Sequence, residues 1–316
     1  MKKLFTLLAL TISFSMNAQV STNSTSPTGT YASAMGNGTT ASGNESTAMG
    51  YDTTASAEAS TAMGYSTTAS AESSTAMGRG TTASGAQSTA MGQGTTAIGI
   101  LSTAMGGFTS ASGYNSTAMG YSTSASGSFS TAMGFSTSAS GPNSTAMGSS
   151  TTASDYASTV IGQYNSSGSS ATSADSFSTS APAFVIGNGA NSSNKSDAFK
   201  VMFNGDTTVS NDLTVSGDVV ISSDARLKSN IVSLGSTLPK LLQIDGKSYE
   251  MKGKQKIGVL AQEIQEVFPE LVSEDDNEML AVNYQGLVPV LINALKEQDE
   301  KINRLEKLVE KLVANQ

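Results

Sequence analysis

The sequence predicts a mainly β protein: a parallel β-roll or solenoid of fourteen-residue repeats, a β-rich neck, and a small α+β domain ending in a coiled-coil helix. Three observations lead there. A Met-Gly pair recurs every fourteen residues from Met35-Gly36 to Met147-Gly148, with Ile161-Gly162 as a further copy. Charge is sparse up to about residue 222 and dense after it. The C-terminal stretch carries apolar residues at spacings that alternate between three and four, the signature of a helical seam.

Composition narrows the function first. The 316 residues include no histidine, cysteine or tryptophan, and 17 basic against 25 acidic residues give a net charge of −8. Charged residues make up 13 %, where an ordinary domain has roughly a quarter. Without cysteine or histidine there is no thiol nucleophile, no disulfide, no histidine base and no usual zinc site. No calcium loop of the EF-hand kind is present either, so neither metal nor cofactor is expected. The acidic balance argues against nucleic acid held on a basic face. Serine, threonine and lysine chemistry stays open. Residues 19–222 hold ten acids and three bases, whereas 223–316 hold fifteen and twelve, so two differently built pieces meet near position 222.

The N-terminus reads as an export signal over residues 1–18. Lys2 and Lys3 precede the apolar run Leu4–Phe14, and Met16-Asn17-Ala18 ends in a small residue before Gln19. The run is too short to span a bilayer stably, and no later stretch approaches eighteen apolar residues. A secreted or cell-surface protein without a transmembrane segment is expected.

Residues 19–165 form the repeat region. Seven residues after each Ala-Met-Gly stands a second, weaker alanine, as in Thr40-Ala41-Ser42, Thr54-Ala55-Ser56 and Thr68-Ala69-Ser70. Each repeat is therefore two half-turns of seven, with room for about five extended residues and two in a corner. A fixed short period signals a solenoid. Recurrent glycine and the lack of Leu/Ile heptads exclude a coiled coil here. A disordered Ser/Thr/Gly-rich stalk is the competing reading, and an apolar residue on a fixed schedule argues against it. The methionines, one per turn, are expected to face an interior or a subunit interface.

The pattern Ser-Thr-Ala-Met-Gly-x-x-Thr-x-Ala over residues 30–165 resembles the head repeats of trimeric autotransporter adhesins. That resemblance implies a left-handed parallel β-roll assembled as a homotrimer, binding an unknown surface or host ligand. The membrane β-barrel that ends such adhesins has no counterpart in this sequence.

Residues 166–222 read as a β-rich neck intertwined between chains. A near-copy of the repeat appears at Val185-Ile186-Gly187, then short alternating segments around Asn204–Val209 and Leu213–Ile221, with Asn-Gly and Gly-Asp turns.

The remaining chain, 223–316, carries three blocks in order: Ser223-Asp224-Ala225-Arg226-Leu227-Lys228, then Ile257–Ile264 with Val267–Val272, then Val282–Leu291. Together they resemble the endosialidase-type intramolecular chaperone auto-processing domain of phage tailspikes and fibres. The resemblance implies that Ser223 is a nucleophile with Lys228 as its partner, and that the Ser222–Ser223 bond is cut. A serine hydroxyl needs an adjacent base, and lysine serves only when burial or nearby positive charge keeps it neutral. Arg226 is such a nearby charge. Read alone, the hexapeptide is also a common helix start, with Asp224 as cap and Arg226 and Lys228 solvated; the downstream blocks favour the dyad. Gln262 and Asn283, polar residues within apolar blocks, are open between an oxyanion role and core hydrogen bonding.

The final helix, about 287–314, places Val288, Leu291, Leu295, Ile302, Leu305, Val309 and Leu312 on one seam, interrupted by Gln298. Pro289 falls in its first turn, where proline is tolerated. A narrow seam favours a dimer and flanking Leu308 and Val313 favour more strands; both resemblances point to a homotrimer. The alternative is a helix packed on its own domain.

Two functions follow. One is an exported trimeric fibre or adhesin-like protein whose C-terminal domain guides folding and then releases itself, with no activity on external substrates. The other is an ice-binding or other ligand-binding solenoid in which that domain only trimerises. Drift at the Thr-Thr and Thr-Ser sites and the interruptions by Tyr51, Tyr65, Tyr121 and Phe135 weigh against the second. The export signal disfavours a phage tail fibre.

Overall fold

The computed structural model describes residues 24–275 and 278–314; the expected signal peptide lies outside the described residues. The chain divides between Ser216 and Gly217 into two units.

Each fourteen-residue repeat makes one turn of a parallel β-solenoid. A five-residue strand such as Thr47–Tyr51 alternates with a two-residue strand such as Thr54–Ala55. Each pairs in parallel register with the strand fourteen residues on: Thr47 with Thr61, Ala48 with Ala62, Met49 with Met63, and Thr54 with Thr68. The long strands form one sheet and the short strands another. The two halves of a repeat are thus unequal, unlike the even division expected from the sevenfold half-period. The bend after each short strand takes up the missing residues. It is closed locally where Ser60 Oγ donates to the Ala57 carbonyl at 2.6 Å and Ser74 Oγ to that of Ala71 at 2.6 Å.

Strand alternation decides what lies inside. Ala48, Ala55, Ala62 and their equivalents are fully buried and build one continuous alanine core. Ser60-type and Thr53-type side chains fill the corners of the same interior. Methionine is one residue from an inward position: it stands on the outer face of the long-strand sheet, partly covered, with Met49 37 % exposed. Of the two placements expected for methionine, the roll interior is not the one adopted, and the outer sheet face is. Two sheets close enough for alanines to meet leave no room for its side chain.

Glycine after each methionine has a specific cause. Gly50, Gly64 and Gly92 sit at φ of +128°, +123° and +122°, a region that side chains avoid. A β-carbon on Gly50 would lie 2.0 Å from the Gly64 carbonyl oxygen.

The period breaks after Gln163, but the sheet does not. Pro182–Asn188 pairs in parallel with Thr159–Gln163, setting Val185 beside Val160 and Ile186 beside Ile161. The intervening excursion is pinned by two carboxylates. Asp155 Oδ1 accepts from the amides of Thr172 (2.6 Å) and Ser173 (2.7 Å). Asp197 accepts from those of Ser166 and Ser167, both at 2.8 Å. Asp197–Met202 and Thr207–Val209 then extend the sheet antiparallel, joined at a turn where Gly205 adopts φ +94°. The alternating stretch 213–221, expected to be β, carries no strand. Leu213, Val219 and Val220 are 71 %, 64 % and 88 % exposed, so the described residues supply no partner for it.

The second unit contains two antiparallel hairpins, Lys247–Met251 with Lys254–Gly258 and Val272–Glu274 with Leu280–Val282. Its helices are α1 (Leu238–Leu241), α2 (Ala261–Val267) and α3 (Leu287–Ala314). Ile264, Phe268 and Val290 form its core, with Leu241, Ile244 and Val259 against them. The buried residues of α3, Val290 and Ala294, lie off the expected seam. Leu295, Leu305 and Leu312 on the seam are 64 %, 61 % and 68 % exposed. Helix α3 therefore packs on its own domain through one stripe and leaves the seam stripe open.

Candidate self-processing site

The Ser223 region folds as a short capped turn. Asp224 is extended, at φ −62° and ψ 135°, and its carboxylate accepts from the Arg226 amide at 2.8 Å, which starts a 3-10 turn over Ala225–Leu227. The Arg226 guanidinium folds back onto the same carboxylate, 2.7 Å from Oδ2. The hydrogen bond from Arg226 holds Asp224 below the ordinary carboxylate range, and Asp224 raises Arg226 in return. The chain leaves the turn extended at Lys228, whose amide donates to the Ala225 carbonyl. This sends the lysine side chain back along the turn, and Nζ donates to Ser223 Oγ at 2.7 Å.

The capping turn does not exclude contact between Ser223 and Lys228: the Asp224 cap makes the turn that brings Lys228 Nζ to Ser223 Oγ. Arg226 departs from its expected part. Its charge is paired with Asp224, so it is not a free cation acting on Lys228. Residues 221–230 are all exposed, and none of the described residues covers the pair.

The two undecided polar residues are elsewhere. Asn283 caps the 3-10 turn Tyr284–Gly286 that opens α3, its Oδ1 accepting from the Gly286 amide at 3.1 Å. Its own amide donates to the Leu271 carbonyl at 2.8 Å. That is a structural role. Gln262 is exposed in the first turn of α2 and lines a cleft of about 340 Å³ with Tyr249, Val259, Met279 and Tyr284.

One residue that sequence reasoning missed holds the segment after the Ser223–Lys228 turn. Glu297 of α3 accepts from Ser236 Oγ at 2.7 Å, from the Thr237 amide, and from the Leu238 amide at 3.1 Å. These bonds, led by that of Ser236, hold Glu297 below the ordinary carboxylate range. Thr237, 2 % exposed, donates its hydroxyl to the Val290 carbonyl at 2.9 Å. Sixty residues separate Glu297 from Thr237, and no local motif announces the pairing.

Among the described residues there is no cluster of three or more acidic side chains suited to a metal. No described helix is long and apolar enough to cross a membrane.

Comparison with known families divides the chain in the same way. The YadA head domain repeat matches overlapping stretches between residues 28 and 165, and the chaperone of endosialidase matches residues 223–273. No curated protein matches the chain. The chain carries YadA head repeats followed by a chaperone-of-endosialidase domain.

Proposed function

We propose that this chain, with its YadA head repeats and chaperone-of-endosialidase domain, is an exported trimeric fibre or adhesin-like protein whose C-terminal domain directs trimer folding and then cuts itself free at Ser222–Ser223. The domains in this reading are a signal peptide (1–18), the repeat head (19–165), an interchain neck (166–222) and the self-releasing chaperone (223–316). The head repeats support a surface or secreted setting. The partly covered methionine ladder and the open α3 seam supply apolar surface for subunit contact. The single observation that carries the cleavage reading is the 2.7 Å contact between Lys228 Nζ and Ser223 Oγ, on a turn shaped by Asp224.

The chemistry follows from position. Ser223 Oγ lies one residue beyond the Ser222 carbonyl and reaches it through a five-membered ring. Lys228, as the neutral amine, accepts the hydroxyl proton while Oγ bonds to the carbonyl carbon. The Ser222–Ser223 C–N bond then breaks, and the proton passes to the departing Ser223 amine. Water hydrolyses the resulting ester, leaving a carboxylate on Ser222 and restoring the Ser223 hydroxyl. The hydrogen bond between the two side chains must reverse for the first step, and enclosure of the pair on assembly favours the neutral amine. Release of the chaperone then leaves a β trimer with no assisted route back.

Mass spectrometry of the purified mature protein tests this. The expected products end at Ser222 and begin at Ser223. A verified trimer that stays whole reduces the domain to a folding and trimerisation module.

A further inference from the structure

We propose that residues 217–235 are an exchange arm, which each protomer lays on a neighbouring copy of the same chain, and that this docking encloses Ser223 and Lys228. Both halves rest on the trimeric reading above, and only the second rests on the cleavage reading as well.

The arm is apolar and uncovered. Val220, Ile221, Leu227, Ile231, Val232 and Leu234 are 88 %, 57 %, 73 %, 67 %, 84 % and 52 % exposed. Such a density of open aliphatic side chains marks a contact surface. Among the described residues, the hydrogen bonds of the arm run within it: Asp224 with Arg226, Lys228 with Ser223, and the Gly235 amide to Ser233 Oγ at 3.4 Å. The chaperone core closes without it, since its members run from Leu241 onward. The arm is therefore neither bonded to its own body nor needed to complete it.

Its root says what covers it. The first residues after the arm, Ser236–Leu238, are clamped to Glu297 of α3. Val290, Ala294 and Glu297 form one stripe of that helix. The open seam of Leu291, Leu295, Gln298 and Ile302 is the stripe one residue further on, about a quarter-turn away. A copy seated on the seam thus lies alongside the place where the arm leaves the body. Gly235, at φ +70°, supplies the bend there.

The test uses the full chain carrying Ser223→Ala, so that it stays uncut, followed by amide hydrogen exchange. Residues 217–235 should exchange at least tenfold more slowly in the assembled protein than in the same chain dissociated by Leu305→Asp with Leu312→Asp. Fast exchange in the assembly overturns the proposal. Equal protection after dissociation also overturns it, because the arm then lies on its own body. A chain that never assembles overturns it as well. In the otherwise native chain, Ile231→Ser with Leu234→Ser should slow cleavage at least tenfold without changing the assembly mass, and unchanged cleavage rejects the enclosing role. A protected arm on a native chain that stays whole upholds the docking and sinks the cleavage reading. A freely exchanging arm on a chain that cuts does the reverse.

Discussion

The α-carbon of Gly92 faces the carbonyl of Gly106 so closely that a β-carbon would lie 1.9 Å from the oxygen. Backbone therefore meets backbone at this point of every turn, and no side-chain adjustment relieves an added methyl. Gly92→Ala combines that clash with a φ of +122° and should destabilise the roll by more than about 3 kcal/mol. Gly80, at φ +62° with nothing within 4 Å, is the contrast: Gly80→Asn should cost under about 1 kcal/mol. Thermal melts followed by circular dichroism compare the two, and equal losses would show that the packing argument is wrong.

The interior threonines support a prediction of opposite sign. Thr95 Oγ1 is buried with no hydrogen-bond partner among the described residues. An unpaired buried hydroxyl is unfavourable, whereas a methyl of the same shape is not. Thr95→Val should be neutral or stabilising by about 1 kcal/mol. A clear loss in the same melting assay would mean that the hydroxyl has a partner.

Cleavage should depend on two side chains and not on general basicity. Ser223→Ala or Lys228→Ala should leave one full-length species, while Arg304→Ala, far along α3, should still cut. Gel electrophoresis with intact-mass measurement reads all three. Alanine variants that still cut at Ser222–Ser223 would remove the dyad from the mechanism.

Assembly should rest on the open seam. Leu305 and Leu312 are largely exposed within one chain, so polar replacements should spare the fold of the protomer. Because buried aliphatic side chains contribute roughly 1.5–3 kcal/mol each, Leu305→Asp with Leu312→Asp should shift light-scattering masses from trimer toward monomer. Masses unchanged at micromolar concentration would place the subunit contact elsewhere.

The Glu297 clamp should make the C-terminal domain acid-sensitive. Its donors depress the Glu297 pKa, so the unfolded chain takes up the proton at higher pH than the folded one. The stabilisation is therefore complete above the ordinary carboxylate range and is lost as pH falls through it toward the lowered folded value. Glu297→Gln should flatten this part of the melting-temperature profile on the acid side. An unchanged profile would assign the acid sensitivity to other carboxylates.

Periodicity made the roll legible, because a strict fourteen-residue schedule admits few ways to bury an apolar residue each turn. It did not say which residue goes in. Hydropathy points to methionine, but the gap between the sheets takes small side chains, alanine in the regular turns and valine at Val160 and Val185. Val185 was readable as a stray copy of the repeat, and its pairing with Val160 after a longer step was not, since the excursion is held by Asp155 and Asp197 through backbone amides without local signature. The alternation of Leu213–Ile221 reads as β and yet yields no strand, and its apolar side chains stay exposed among the described residues. At the candidate site the residue types at 223–228 were readable, whereas Glu297 was invisible because its partners are sixty residues away.

A turn that pairs only with the turns before and after it has a bearing on inheritance. Losing or duplicating fourteen residues removes or adds one graduation, about 4.8 Å of length, and leaves the remaining pairings as they were. The roll is a ruler that replication slippage can lengthen or shorten without a folding penalty at the seam. The Val160–Val185 step, with its tethered excursion, is where that freedom ends, so variation in reach should accumulate ahead of residue 160 and not beyond it.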